Sequence, residues 1–178
     1  SCNYNTITNN NANSNYGPHG IGVSLGSSSN NMLRNNTANS NDFFGISLDS
    51  SCDNTITNNT ANSNVLYIGS YGIFLGASSD NTITNNTASN NNCGITLAGS
   101  SNNTLTNNTA LNNADGIFLY AWNNYNTITN NNASNNSDYG IRLSSSSSNT
   151  IYNNYFNNTD NAWDDGKNIL YLHHFFLE

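Results

Sequence analysis

Asn81-Thr82-Ile83-Thr84-Asn85-Asn86-Thr87-Ala88-Ser89-Asn90-Asn91-Asn92-Cys93-Gly94-Ile95-Thr96-Leu97 is the stretch that decides the fold. Its Thr-Ile-Thr alternates polar and apolar side chains at period two, the pattern of a strand with one buried side. The Asn pair that follows is turn chemistry, because Asn tolerates left-handed backbone geometry. Gly-Ile-Thr-Leu then alternates again. Nothing in the stretch has helical spacing.

The same unit recurs along the chain. Asn pairs stand at Asn9-Asn10, Asn35-Asn36, Asn58-Asn59, Asn85-Asn86, Asn107-Asn108, Asn130-Asn131 and Asn153-Asn154. Ala follows two positions after six of them, at Ala12, Ala38, Ala61, Ala88, Ala110 and Ala133. Gly-aliphatic-x-Leu follows from Gly22, Gly45, Gly72, Gly94, Gly116 and Gly140, and Ser-rich turns close the units. Repeat starts at 5, 31, 54, 81, 103, 126 and 149 are spaced by 26, 23, 27, 22, 23 and 23 residues. Such a period marks a solenoid.

Composition alone points elsewhere. Of 178 residues 45 are Asn, 24 Ser and 17 Thr, and Leu, Ile, Val and Phe together make just under a fifth. With a net charge of −7, that is the profile of a disordered tract. The order of the residues overrides it. A unit of about 23 residues with no helix-former run suits one coil of short parallel strands. Each coil turns an Ile, an Ala, an Ile and a Leu inward, and only stacking buries them. Coils 4.7–4.9 Å apart make a rod of about 35 Å. Identical Asn amides at the turn pair would stack and hydrogen-bond from coil to coil. The expected fold is all-β, a parallel β-helix of about seven coils of 22–27 residues over 1–168. An apolar tail over 169–178 is read as lying outside the coils, as a cap or a subunit contact.

The unit Asn-Thr-Ile-Thr-Asn-Asn-x-Ala…Gly-Ile-x-Leu…Ser-x-x-Asn, from residue 5 to about 168, resembles the repeats of NosD-like proteins and of the wider carbohydrate-binding and sugar-hydrolase β-helix group. The ending Asn161-Ala162-Trp163-Asp164-Asp165-Gly166-Lys167-Asn168 resembles the last coil of such domains. The resemblance implies a right-handed helix and an exported protein, extracellular or at the cell surface. It leaves the chemistry open, since the group holds enzymes and plain scaffolds. One Met and no His cluster offer no copper site.

Charge excludes some functions. Three Lys and Arg leave no footprint for nucleic-acid phosphates, and no apolar run reaches the length of a membrane span. No cleavable export signal opens the chain. No nucleophile–base pair or catalytic constellation is visible. Asp53 and Asp80 share a turn slot with Asn30, Asn102, Tyr125 and Ser148. Asp42, Asp115 and Asp138 precede Gly residues without an expected basic partner. Asp160, Asp164 and Asp165 beside a Gly are a weak oxygen cluster, for which calcium is the fitting cation. No other cofactor is implied. His173-His174 lies in the tail.

The cysteines offer no internal disulfide. Cys2 and Cys52 occupy one slot two coils apart, beyond bonding reach. An odd count leaves Cys2 as an intermolecular option.

Two surfaces are candidates for function. Thr55, Thr57, Thr82, Thr84, Thr104, Thr106, Thr127 and Thr129 would form a flat outward grid on four coils, resembling the face of β-helical antifreeze proteins. The variable edge carries Tyr16, His19, Phe43, Phe44, Tyr67 and Tyr71, which suit a glycan or protein partner. Four of eight Asn-x-Ser/Thr sequons, at Asn35, Asn58, Asn85 and Asn107, belong to turn pairs and follow from the repeat. Ser1-Cys2-Asn3 matches Ser51-Cys52-Asp53, so the chain begins inside a coil, and an open coil end invites head-to-tail stacking. The expected function is a non-catalytic, self-associating surface scaffold such as a filament, sheath or surface layer. Ice binding through the threonines and a polysaccharide-binding or polysaccharide-degrading β-helix are the alternatives.

Overall fold

The computed structural model describes residues 2–67 and 69–171. Its strands fall into three ladders. Short strands β1 (Thr6–Thr8), β3 (Met32–Arg34), β5 (Thr55–Thr57), β7 (Thr82–Thr84), β9 (Thr104–Thr106), β11 (Thr127–Thr129), β14 (Thr150–Tyr152) and β17 (Ile169–Tyr171) form an eight-stranded sheet in that order. Six-residue strands β2 (Ile21–Gly26), β4 (Phe44–Asp49), β6 (Tyr71–Gly76), β8 (Cys93–Ala98), β10 (Asp115–Tyr120) and β13 (Tyr139–Ser144), with β16 (Asp160–Asp164), form a seven-stranded sheet. The third ladder is a line of single bridges through Thr37, Thr60, Thr87 and Thr109 that widens into β12 (Asn132–Ser134) beside β15 (Tyr155–Asn157). Every pairing is parallel and joins one coil to the next. None of the elements is a helix, and no helix among the described residues is long and apolar enough to cross a membrane.

Register follows the sequence repeat. Thr6 pairs with Met32, then Thr55, Thr82, Thr104, Thr127 and Thr150 continue the column. The core is the line of inward side chains. Leu33, Ile56, Ile83, Leu105, Ile128 and Ile151 come from the first sheet, and Ile46 to Ile141 with Leu48 to Leu143 from the second. Ala38, Ala61, Ala88, Ala110 and Ala133 fill the corner between them, all fully buried. Gly at the second position of the long strands also faces inward. A Cβ on Gly94 would meet the Ala110 Cβ at 2.8 Å and the Gly116 carbonyl oxygen at 2.6 Å.

Three asparagine ladders run the length of the rod, where the sequence pattern pointed to one. Asn10, Asn36, Asn59, Asn86, Asn108, Asn131 and Asn154 form the expected one, each amide Nδ2 donating to the next Oδ1 at 2.9–3.0 Å. A second runs from Asn5 and Asn31 through Asn54, Asn81, Asn103 and Asn126 to Asn149 and Asn168. The third climbs from Asn15 through Asn41, Asn64, Asn91, Asn113 and Asn136 to Asn158. Buried polar groups must be hydrogen-bonded, and the ladders satisfy them. The other member of each turn pair serves the bend: Asn35, Asn58, Asn85 and Asn107 are exposed at φ of 54–55°.

The tail needs a correction. Residues 169–171 do not leave the rod: Ile169–Tyr171 is the eighth rung, with Leu170 beside Ile151 and packed against the core. Asn168 carries the second ladder to this rung, accepting from Asn149. His173, His174 and the remaining apolar tail residues lie outside the described residues. The three cysteines are free.

Candidate functional site

The outer face of the seven-stranded sheet carries the chemistry. In each long strand Ile and Leu face the core and the fourth and sixth side chains face out, and the first joins them on the outer face, where Phe44 stacks on Phe74 and Asp115 meets Arg142. The first positions stack as Phe44, Tyr71, Cys93, Asp115 and Tyr139, with Asp160 last. The fourth positions stack as Ser47, Phe74, Thr96, Phe118, Arg142 and Trp163. Bulky rings on coils three and five therefore flank the small residues of coil four.

Asp115 and Arg142 meet on this face. Arg142 Nη2 lies 2.8 Å from Asp115 Oδ2, and its guanidinium sits 3.9 Å above the Phe118 ring centroid. Asp115 is 1% exposed, so this is a carboxylate buried beneath its guanidinium partner. Burial pushes its pKa up, and the Arg142 charge pulls it back. Among its oxygens Oδ2 is engaged while Oδ1 has no partner, and Arg142 Nε and Thr96 Oγ1 are likewise buried without one. The expectation that Asp115 lacks a basic partner is thus overturned. The repeat arithmetic contained the signal: Asp115 stands one before Gly116 and Arg142 two after Gly140, both outward on adjacent coils.

An open cavity of about 280 Å3 lies beside the pair, lined by Phe118, Tyr139, Arg142, Ser144 and Trp163. Arg142 also lies 5.9 Å from the Tyr139 ring centroid. Next along the face, Phe44, Tyr71 and Phe74 stack with centroids 4.8–5.5 Å apart, and Phe43 lies on Phe44 at 3.9 Å. Burial, then the neighbouring Tyr120 hydroxyl, push the Tyr71 phenol up. Burial and then the Asp115 carboxylate push the Cys93 thiol up to about 12. A thiol so held is a weak donor, 3.8 Å from Asp115 Oδ2, and no nucleophile at neutral pH.

The residues singled out from the sequence separate here. Phe43, Phe44 and Tyr71 come together, with Phe74, as one stacked group on the sheet. Phe44 is buried within it. Tyr16, His19 and Tyr67 remain exposed in the inserted loops. Asp42 is buried and accepts from the Gly17 amide.

The threonines form two columns, Thr55-Thr82-Thr104-Thr127 and Thr57-Thr84-Thr106-Thr129. Of these Thr129 departs from the flat, accessible grid: it is 8% exposed, its hydroxyl unpaired, next to Tyr152 in register. The second column is therefore accessible over three rungs.

The terminal aspartates are occupied as turn caps. Asp164 Oδ1 accepts from the Gly166 amide and Asn168 Nδ2, and Asp165 Oδ1 accepts from the Ser145 amide. Among the described residues no group of three His, Cys, Asp or Glu side chains could hold a metal ion.

Known proteins share this architecture. A periplasmic alginate epimerase, a mutant of AlgG, has 26% identity and a TM-score of 0.68 over 75% of this chain and 32% of its own. The A-module of the Azotobacter vinelandii mannuronan C-5 epimerase AlgE4 has 19% identity and a TM-score of 0.57 over 93% of this chain and 55% of its own. The Streptococcus pneumoniae surface protein and adhesin PfbA has 14% identity and a TM-score of 0.52 over 94% of this chain and 66% of its own. The chain thus spans about a third of AlgG and about half of the AlgE4 module. No curated protein matches it. Residues 58–174 match the family described as periplasmic copper-binding protein (NosD), and residues 1–110 the family described as right handed beta helix region. Each match covers more than half of the sequence, and the chain belongs to the right-handed β-helix proteins of the NosD family.

Proposed function

We propose that this chain is a glycan-binding β-helix module of an exported, envelope-associated protein. The observation that carries the reading is the open cavity on the seven-stranded sheet, walled by Phe118, Tyr139 and Trp163 around a fixed Arg142. Aromatic faces receive the C–H face of a sugar ring, and the guanidinium, phenol and Ser144 hydroxyl answer its hydroxyl groups. The likeness to alginate and mannuronan epimerases lends support from a second side. Binding is favoured over catalysis by the state of the acid groups. The Asp115 carboxylate is buried and ion-paired with Arg142, and the Cys93 thiol beside it is held protonated.

Affinity electrophoresis or calorimetry against a panel of soluble polysaccharides tests this reading. Removing the Trp163 ring in Trp163→Ala is expected to weaken binding at least tenfold, about 1.4 kcal/mol, with the fold unchanged by circular dichroism. Unchanged affinity in Trp163→Ala and Tyr139→Ala, or no affinity for any polymer, counts against it.

The in-register threonine columns favour ice binding as a second reading. Their hydroxyl and methyl groups repeat at the coil spacing on Thr55, Thr82, Thr104 and Thr127. That reading expects thermal hysteresis in the parent protein and its loss in Thr84→Tyr. A parent without hysteresis rules it out.

A further inference from the structure

We propose that the cavity takes an uncharged sugar polymer and rejects uronate polymers, and that Asp115 sets this choice. The inference rests on the glycan-binding reading. Its basis is the charge arranged around the cavity. Arg142 is the one cationic side chain lining it, and Asp115 meets that charge at 2.8 Å. Three carboxylates stand near the pair. Asp138 precedes Tyr139 in sequence, and Asp160 follows Tyr139 one coil on. Asp165 reaches the Ser144 hydroxyl at 3.4 Å. A polymer with one carboxylate per sugar would meet several negative charges and a guanidinium that is already engaged. The chain as a whole, at net charge −7, adds to the repulsion.

What the cavity offers instead suits a neutral ring. Phe118, Tyr139 and Trp163 present apolar faces, and stacking on them needs no charge. Arg142 is held flat on Phe118 at 3.9 Å. Its position is fixed from below by Asp115, so it serves as a donor to hydroxyl groups rather than as a free cation. The preference is opposite to the polymer named for the alginate and mannuronan epimerases, so shared architecture and shared ligand part company here. Asp115→Asn keeps the shape and removes the compensating charge. It leaves Arg142 as an unpaired cation at the cavity wall.

Calorimetric titration of the whole chain tests this with mixed-linkage β-glucan and galactomannan as neutral probes and polymannuronate and polygalacturonate as anionic ones, at low and high salt. In the parent, a neutral polymer is expected to bind at least tenfold more tightly than either uronate, with less than a twofold change between salt conditions. In Asp115→Asn, uronate affinity at low salt is expected to rise about tenfold and to fall again at high salt. Tighter binding of a uronate than of both neutral polymers by the parent overturns the inference while sparing the glycan-binding reading. So does a folded Asp115→Asn with an unchanged neutral-to-uronate ratio. Absence of binding to all four polymers overturns both. If Asp115→Asn does not fold, the parent's ratio alone decides.

Discussion

Asn86→Ala is expected to destabilise the protein by about 4 kcal/mol, on the order of two or more orphaned buried hydrogen-bonding groups at roughly 1–3 kcal/mol each. The Asn86 side chain joins groups from three coils. Its Nδ2 donates to Asn108 Oδ1 at 3.0 Å, to the Ile56 carbonyl at 2.8 Å and to the Thr84 carbonyl at 3.1 Å. Its Oδ1 accepts the amide and the Nδ2 of Asn59. Asn86 is 1% exposed, so water does not replace these partners when the side chain is cut back. The neighbouring Asn85 supplies the control. It is exposed, at φ 55°, and its side chain takes no part in a ladder. Asn85→Ala is expected to cost only about 1 kcal/mol, the strain of a left-handed alanine. Urea unfolding of the two variants measures the contrast. Equal losses from adjacent asparagines would contradict the ladder account.

The second large effect comes from packing. Gly94→Ala is expected to cost about 3 kcal/mol or more, the upper range for forcing atoms into a filled core. An added Cβ would lie 2.6 Å from the Gly116 carbonyl oxygen, 2.8 Å from the Ala110 Cβ and 2.9 Å from the Ala88 carbonyl oxygen. Two of these are backbone atoms, one on the next coil and one on Gly94's own coil, and neither can rotate away. The coils would have to separate, weakening the Asn91 ladder beside them. Gly26 occupies the sixth position of its strand, and an added Cβ there meets nothing within 4 Å. Gly26→Ala is therefore expected to be near neutral. A thermal melt of Gly94→Ala within a degree of the parent would contradict the close-approach argument.

The coils were legible because each repeats a period-two pattern with the same side chain at each slot. Ile83 or Leu105 at the centre of Thr-x-Thr can face only one way if its neighbours stack. The first Asn ladder was visible for the same reason, as a pair repeated at the same slot of each coil. The ladders through Asn54 and Asn91 were masked by the sheer abundance of Asn. An isolated Asn before Thr reads equally well as a strand-edge residue. The eighth rung was missed because Ile169-Leu170-Tyr171 keeps the alternation but loses the Thr-x-Thr chemistry that marked the other seven. Asn168 was the remaining clue.

The site was less legible than the fold. Its residues come from three coils and are joined by a face, not by a sequence motif. Phe118, Arg142 and Trp163 occupy one column, but their types differ, so no repeat position announces them. Asp115 stands outside the Gly-aliphatic-x-Leu pattern because the strand begins one position before the Gly that marks it. Only the register, with Asp115 beside Tyr139, brings the carboxylate under the guanidinium.

On the glycan-binding reading, a sugar on the outer face of the seven-stranded sheet lies against Trp163. The chain has two tryptophans, and Trp122→Phe leaves Trp163 as the sole indole reporter. Fluorescence titration of that variant with a neutral oligosaccharide bound by the parent is the most direct measurement. A saturable change in Trp163 emission, with a midpoint matching the calorimetric affinity, is the predicted result. Binding of the same oligosaccharide with no change in Trp163 emission would contradict the placement of the site.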